Sequence, residues 1–242
     1  MFLGSPGTGK TTVAKLIGKM LCQAGVLSEG HVVVRERASL LGQNYNSESE
    51  KTLEAIETAQ GGILFIDEAH QLYQPNDPRD PGKFVIETLL TALSDNSNRD
   101  WMLILAGYPD ETKRMFDMNP GLKSRIPAAN IYTFDDFTEA ELMEIAEYYF
   151  SQNNYTLTSG AQKALITRLK VDYARREKNF GNARHVMNMI QTEIIPSMAV
   201  RVVSEGLTDD KSLTEIQEVD IPATAPFAKP TTISRPRVGF AI

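Results

Sequence analysis

Close to the first residue, the run Gly4-Ser5-Pro6-Gly7-Thr8-Gly9-Lys10-Thr11 leaves little freedom in how the rest of the chain folds. Its spacing is that of a phosphate-binding loop: a glycine, four residues, then Gly-Lys-Thr. Glycines let the backbone turn its N–H groups inward around a phosphate, and a helix that starts where the loop ends points its positive end at the same charge. Such a loop needs a strand before it and a helix behind it. Met1 to Leu3 read as the end of a strand, and Thr11 to Ala24 carries Val13, Leu16, Ile17, Met20 and Leu21 at helical spacing. On this reading Gly4, Ser5, Pro6, Gly7, Thr8, Gly9, Lys10, Thr11 and Thr12 surround the phosphates of ATP. Lys10 reaches the β- and γ-phosphates, and the Thr11 hydroxyl coordinates Mg²⁺.

Strand and helix signals alternate behind the loop. His31 to Arg35 is β-branched and short; Ser47 to Gln60 is helical and stops at Gly61-Gly62. Ile63 to Ile66 is a continuous apolar run, the mark of a strand buried on both faces. Lys83 to Leu93 reads as a helix, Trp101 to Ala106 as another buried strand, and Ile131 to Phe134 as a fifth. This alternation predicts a parallel α/β sheet flanked by helices. Beyond a boundary near Asp135 the strand signals stop. Thr138 to Ser151, Ser159 to Arg176 and Asn182 to Val203 read as helices, with Thr138–Glu141 as a capping box and Thr158 at a helix start. The expected organisation is a nucleotide-binding core over 1–135, a helical lid over 136–205, and an extended or disordered tail over 206–242, where four of the 12 prolines fall.

The strand at Ile63 ends in Asp67-Glu68. Ligands of open parallel sheets bind at the C-terminal strand ends, so these carboxylates face the phosphates. Asp67 is the candidate to hold Mg²⁺ through water, and Glu68 the candidate base for the attacking water. Asp67-Glu68-Ala69-His70 also spells a helicase box, but such helicases need two large motor domains and this length provides one. His70 is assigned to local packing or hydrogen bonding, or to sensing the nucleotide state. His31 and His185 form no metal-ligand spacing with it.

With 242 residues, 42% hydrophobic and 23% charged, the chain has the composition of a globular protein with a sizeable core. Its formal net charge of -6 argues against a dedicated nucleic-acid surface. The lone Cys22 excludes an internal disulfide, falls on the apolar face of the first helix and fits a reducing compartment. No apolar run approaches the length of a membrane span, and no signal peptide precedes the first motif, so a cytoplasmic protein is expected.

Five segments then occur in a telling order: Ser5 to Thr12, Ile63 to Ala69, Ile104-Leu105-Ala106-Gly107-Tyr108, Asn119-Pro120-Gly121-Leu122-Lys123-Ser124-Arg125, and Gly181-Asn182-Ala183-Arg184. Over about residues 1–205 the set resembles the AAA+ ATPases of the red-type rubisco activase and stage V sporulation protein K branch. The resemblance implies a ring-forming ATPase, usually a hexamer, that remodels a protein substrate. It implies that Arg125 is the arginine finger, reaching the γ-phosphate of a neighbouring subunit; Lys123 either assists it or, the favoured reading, packs on the exposed surface. It implies that Arg184 is the sensor 2 residue that approaches the nucleotide from the lid. Sensor 1 departs from the wider superfamily, since this strand ends Ala106-Gly107-Tyr108: either the Tyr108 hydroxyl serves or the role is absent. Leu41 to Asn46 lies where the branch places a central-pore loop, with Tyr45 one position displaced; it is either a gripping residue or an ordinary loop tyrosine. Relatives also carry a longer segment before the loop, so the first strand is expected to be truncated here.

Three functions are compatible with these residues. The first is Mg²⁺-dependent ATP hydrolysis that remodels a protein in a ring. The second is a nucleotide-dependent binding module with little hydrolysis. The third is an accessory factor acting on nucleic acid, which the acidic charge disfavours. A small-molecule kinase does not account for a helical lid carrying Gly181 to Arg184.

Overall fold

A computed structural model describes residues 1–41, 47–74, 77, 79–95, 100–177 and 180–223. The chain divides into two compact units, Met1–Thr138 with Lys178–His185, and Glu139–Glu177 with the chain from Val186 onward.

The first unit is built on a five-stranded sheet. Its strands are β1 (Phe2–Gly4), β2 (Val32–Arg35), β3 (Ile63–Ile66), β4 (Met102–Gly107) and β5 (Tyr132–Phe134), in the spatial order β2-β3-β4-β1-β5. Every pairing is parallel. The C-terminal ends of β1, β3 and β4 therefore lie along one edge, and the residues after each of these strands are delivered to the same place.

The helices of this unit are α1 (Lys10–Gln23), α2 (Arg37–Leu40), α3 (Ser47–Thr58), α4 (Gly82–Ser94), α5 (Pro109–Met118) and α6 (Pro120–Arg125). They cover both faces because β3 is apolar throughout, and its four residues are fully buried. Ile63 and Phe65 join one core with Phe2, Ala14, Ile104 and Ala106, against which Val13, Ile17 and Leu21 of α1 pack. Leu64 and Ile66 point the other way, into a core with Leu40, Ile56, Val85, Leu89, Met115 and Leu122. The short β1 is anchored by the Phe2 ring, whose centroid lies 4.9 Å from that of Phe134 and 6.4 Å from that of Phe65. Gly4 ends the strand against β5, and any Cβ there would overlap the carbonyl of Phe134. The helices α2, α5 and α6 and the 3₁₀ turn Ala69–Leu72 are additions to the sequence expectation.

The second unit contains α7 (Glu139–Gln152), the two-residue strand β6 (Thr156–Leu157) and α8 (Ser159–Ala174). Thr158 caps α8, its hydroxyl accepting from the Ala161 N–H at 3.1 Å. The expected single helix over Asn182 to Val203 is α9 (Asn182–Met189), a π turn (Ile190–Ile194) and α10 (Ile195–Glu205). Pro196, in the first turn of α10, has no N–H to give to the preceding turn, which accounts for the widening. Residues 178–185 cluster with the first unit, so one boundary near Asp135 does not describe the division.

The segment after Gly206 also differs from the extended tail expected of it. Strand β7 (Glu215–Ile216) pairs in parallel with β6, and a 3₁₀ turn comes next over Glu218–Asp220. Ile216 and Asp220 are fully buried. The Arg201 guanidinium binds both Asp220 oxygens, at 2.9 Å from Nε and 2.9 Å from Nη2, and gives a further bond to the Glu215 carbonyl. Arg168 holds the Pro222 carbonyl at 2.7 Å. These contacts hold the described part of the stretch, up to residue 223, in place. Residues 224–242 lie outside the described part. No helix among the described residues is long and apolar enough to cross a membrane.

Candidate nucleotide site

The glycine-rich loop connects β1 to α1. Gly7 (φ +72°) and Gly9 (φ +87°) occupy the left-handed region, which only glycine enters at no steric cost. Lys10 is the first residue of α1 and is buried. Its ammonium donates to the loop carbonyls of Gly4 (2.8 Å) and Ser5 (2.7 Å), and the Thr8 hydroxyl donates to Ser5 at 2.9 Å. The first turn of α1 carries no acidic side chain, so its positive end is not neutralised from within. Thr11 is half-buried and Thr12 exposed on the same turn.

At the end of β3, Asp67 and Glu68 are both half-buried. The Asp67 carboxylate accepts the Glu68 N–H at 3.0 Å. Glu68 is itself left-handed (φ 49°, ψ 40°), an uncommon backbone for a residue with a side chain. Its carboxylate accepts from the Gln71 amide. Burial pushes the Lys10 ammonium below the ordinary lysine value, while Asp67 and Glu68 pull it up and Arg184 pushes it down. The loop lysine, the two carboxylates and Arg184 thus act in one electrostatic neighbourhood. Thr11 and Asp67 offer hard oxygen donors, the kind Mg²⁺ takes.

Tyr108 comes directly after β4. Burial raises its phenol above the ordinary value, Glu68 adds to the rise, and Arg184 opposes it. The ring stands edge-on to His70, with centroids 5.4 Å apart. A Cβ on Gly107 would overlap the Thr112 hydroxyl and crowd the His70 ring, so a larger residue there would have to displace both side chains.

Arg184 is exposed at the start of α9. The chain before it is held by Asn182, which is fully buried and left-handed (φ 47°). The Asn182 carboxamide accepts from the Phe137 N–H (3.0 Å) and donates to Asp136 (2.8 Å) and to the carbonyls of Phe180 (3.0 Å) and Pro6 (3.3 Å). The sequence pattern singles out Arg184 and passes over Asn182, Asp136 and Gln71. Only the presence of Asn182 inside Gly181-Asn182-Ala183-Arg184 could have drawn attention to it.

Arg125, at the end of α6, is exposed. It donates to the Ser94 hydroxyl (2.7 Å from Nη2) and to the Gly121 carbonyl (3.2 Å), not to the groups around Lys10. Lys123 faces Asp117 at 3.4 Å. Tyr45 lies outside the described residues.

The family model described as "ATPase family associated with various cellular activities (AAA)" matches residues 1–129. The chain belongs to the AAA ATPase family. The AAA lid domain model matches residues 138–230. Protein CfxQ of Xanthobacter flavus is 40% identical over 227 residues, covering 94% of this chain and 70% of the relative. Protein CbbX of Cereibacter sphaeroides is 38% identical over 227 residues, covering 93% and 72%. The chloroplastic ribulose bisphosphate carboxylase/oxygenase activase of Cyanidioschyzon merolae is 37% identical over 222 residues, covering 92% and 73%. Among solved structures, the AAA domain of FIGL-1 superposes with a TM-score of 0.57 at 14% identity, covering 91% of this chain and 67% of that one, a likeness of fold alone. The resemblance to the rubisco activase branch is thus upheld, as are the α/β fold with a helical lid and the assignment as an ATPase that binds ATP.

Proposed function

We propose that this AAA ATPase hydrolyses Mg²⁺-ATP in a ring, a hexamer by analogy with its branch, and uses the energy to remodel a protein substrate in the cytoplasm. What supports the reading is that parallel strands β1 and β3 end on the same side of the sheet, one leading into the loop with Lys10 and the other into Asp67 and Glu68, while the Ala183 N–H beside Arg184 bonds the loop at Gly7.

In this reading Gly4 to Thr12 wrap the phosphates, and Lys10 exchanges its bonds to the Gly4 and Ser5 carbonyls for the β- and γ-phosphate oxygens. Thr11 and Asp67 would hold a Mg²⁺ ion, which would neutralise charge on the phosphates. Glu68 accepts a proton from the attacking water as its oxygen bonds to the γ-phosphorus, and the bond from that phosphorus to the β–γ bridging oxygen breaks. Gln71 restrains the Glu68 carboxylate, and Arg184 adds positive charge beside Lys10.

Arg125 completes the chemistry from outside. Within its own chain it is exposed and bonded to Ser94 and Gly121, which leaves its guanidinium on the surface for a neighbour's γ-phosphate. A guanidinium stays protonated and suits the spreading charge of phosphoryl transfer. The reading is tested by ATP turnover per chain as protein concentration rises. Turnover should increase with assembly, and Arg125→Ala should lower it about 1000-fold while ATP binding persists. Turnover independent of both concentration and Arg125 defeats the ring.

A further inference from the structure

We propose that Asn182 is a positioning residue of the nucleotide site, a latch that fixes the phosphate-binding loop against the segment carrying Arg184. The proposal rests on the reading of that loop as the nucleotide site and deepens it.

The carboxamide can face only one way. Its oxygen meets the Phe137 N–H, and its nitrogen meets three oxygens, on Pro6, Asp136 and Phe180. Flipping the amide would set an oxygen against three acceptors and a nitrogen against a donor. The Asn182 side chain is fully buried; its bond to the Phe180 carbonyl is buried, and those to Phe137, Pro6 and Asp136 are partly so. It joins three stretches distant in sequence: the loop at Pro6, the chain at Asp136 and Phe137, and the chain at Phe180.

Backbone contacts run beside it. The Ala183 N–H donates to the Gly7 carbonyl at 3.2 Å, and the Arg184 N–H donates to the Gly181 carbonyl at 2.9 Å. The same Gly181 carbonyl is what a Cβ on Gly7 would overlap. Pro6 and Gly7 are therefore seated on the residues that precede Arg184, and a shift of the loop displaces that backbone directly. Asparagine suits the position on two counts. It tolerates the left-handed backbone found there, and it offers donors and an acceptor on one short stem. Aspartate has nearly the same shape but would turn a carboxylate towards Asp136 and two carbonyls.

The test measures ADP affinity, ATP turnover and thermal unfolding in Asn182→Gly, which keeps the backbone conformation and deletes the latch. The latch predicts ADP binding weaker by about tenfold and a comparable rise in KM for ATP, with a smaller fall in kcat. It also predicts that Arg184→Ala, costly in the native background, adds less than about twofold to Asn182→Gly, because the two act as one unit. Unchanged ADP affinity in folded Asn182→Gly, or full additivity with Arg184→Ala, overturns the proposal. Where Asn182→Gly does not fold, Asp136→Ala decides it. Removing an exposed carboxylate from the neighbourhood of a phosphate site should by itself tighten ADP, whereas the latch predicts weakening by about threefold. ADP affinity does not depend on turnover, so a chain that binds nucleotide without hydrolysing it refutes the hydrolysis reading and still tests the latch.

Discussion

Gly7 and Gly181 are in contact: a Cβ on Gly7 would overlap the carbonyl oxygen of Gly181. The loop glycine is constrained twice, by this approach and by its left-handed backbone at φ +72°. Gly7→Ala is expected to cost about 1–3 kcal/mol of stability from backbone strain alone. It should also weaken ADP binding more than the stability loss explains, since the loop must shift to relieve the overlap. Thermal unfolding and ADP titration check this, and native affinity in Gly7→Ala would contradict the contact.

The state of Lys10 sets a pH dependence. Burial lowers its ammonium from the ordinary lysine value. The charged form binds phosphate, so as pH rises the empty loop loses its cation before an ordinary lysine would. Nucleotide affinity should fall on the alkaline side, beginning below the ordinary lysine range, and binding there should take up a proton. Calorimetry of ADP binding in buffers of different ionisation enthalpy detects the uptake. Buffer-independent heats throughout that range would show that Lys10 is not perturbed.

The buried pair Arg201–Asp220 is expected to hold the C-terminal stretch of the second unit in place. The two side chains are 5% and 0% exposed. Asp220→Ala leaves a buried guanidinium without its carboxylate, which should cost about 3–5 kcal/mol. The same change should speed proteolysis after Gly206. An unaltered melting temperature would mean that the stretch is not fixed by this pair.

How much of this is legible in the sequence depends on whether a residue's role is local. The strand Ile63–Ile66 and its terminal Asp67-Glu68 are readable because a strand buried on both faces has to be continuously apolar, and its ligands have to come right after it. The loop is readable because Gly7, Gly9 and Lys10 act within a few residues of one another. Arg184 is visible through its motif, but the buried hold of Asn182 on Pro6 and Asp136 joins residues far apart in sequence, and no spacing announces it. The stretch after Gly206 departs from expectation for a related reason. Prolines are local signals of extension, whereas the bond from Arg201 to Asp220 that anchors residues 207–223 is tertiary. The left-handed backbone of Glu68 likewise leaves no trace in composition, because non-glycine residues adopt it only when their surroundings impose it.

ATP turnover in the native chain and in Glu68→Gln, measured side by side under conditions where the chain assembles, tests the central claim most directly. The substitution keeps the size of the side chain and removes the base. The account predicts turnover lower by about 100-fold or more in Glu68→Gln with ADP affinity nearly unchanged. An assembled native chain that turns over ATP no faster than Glu68→Gln would contradict it.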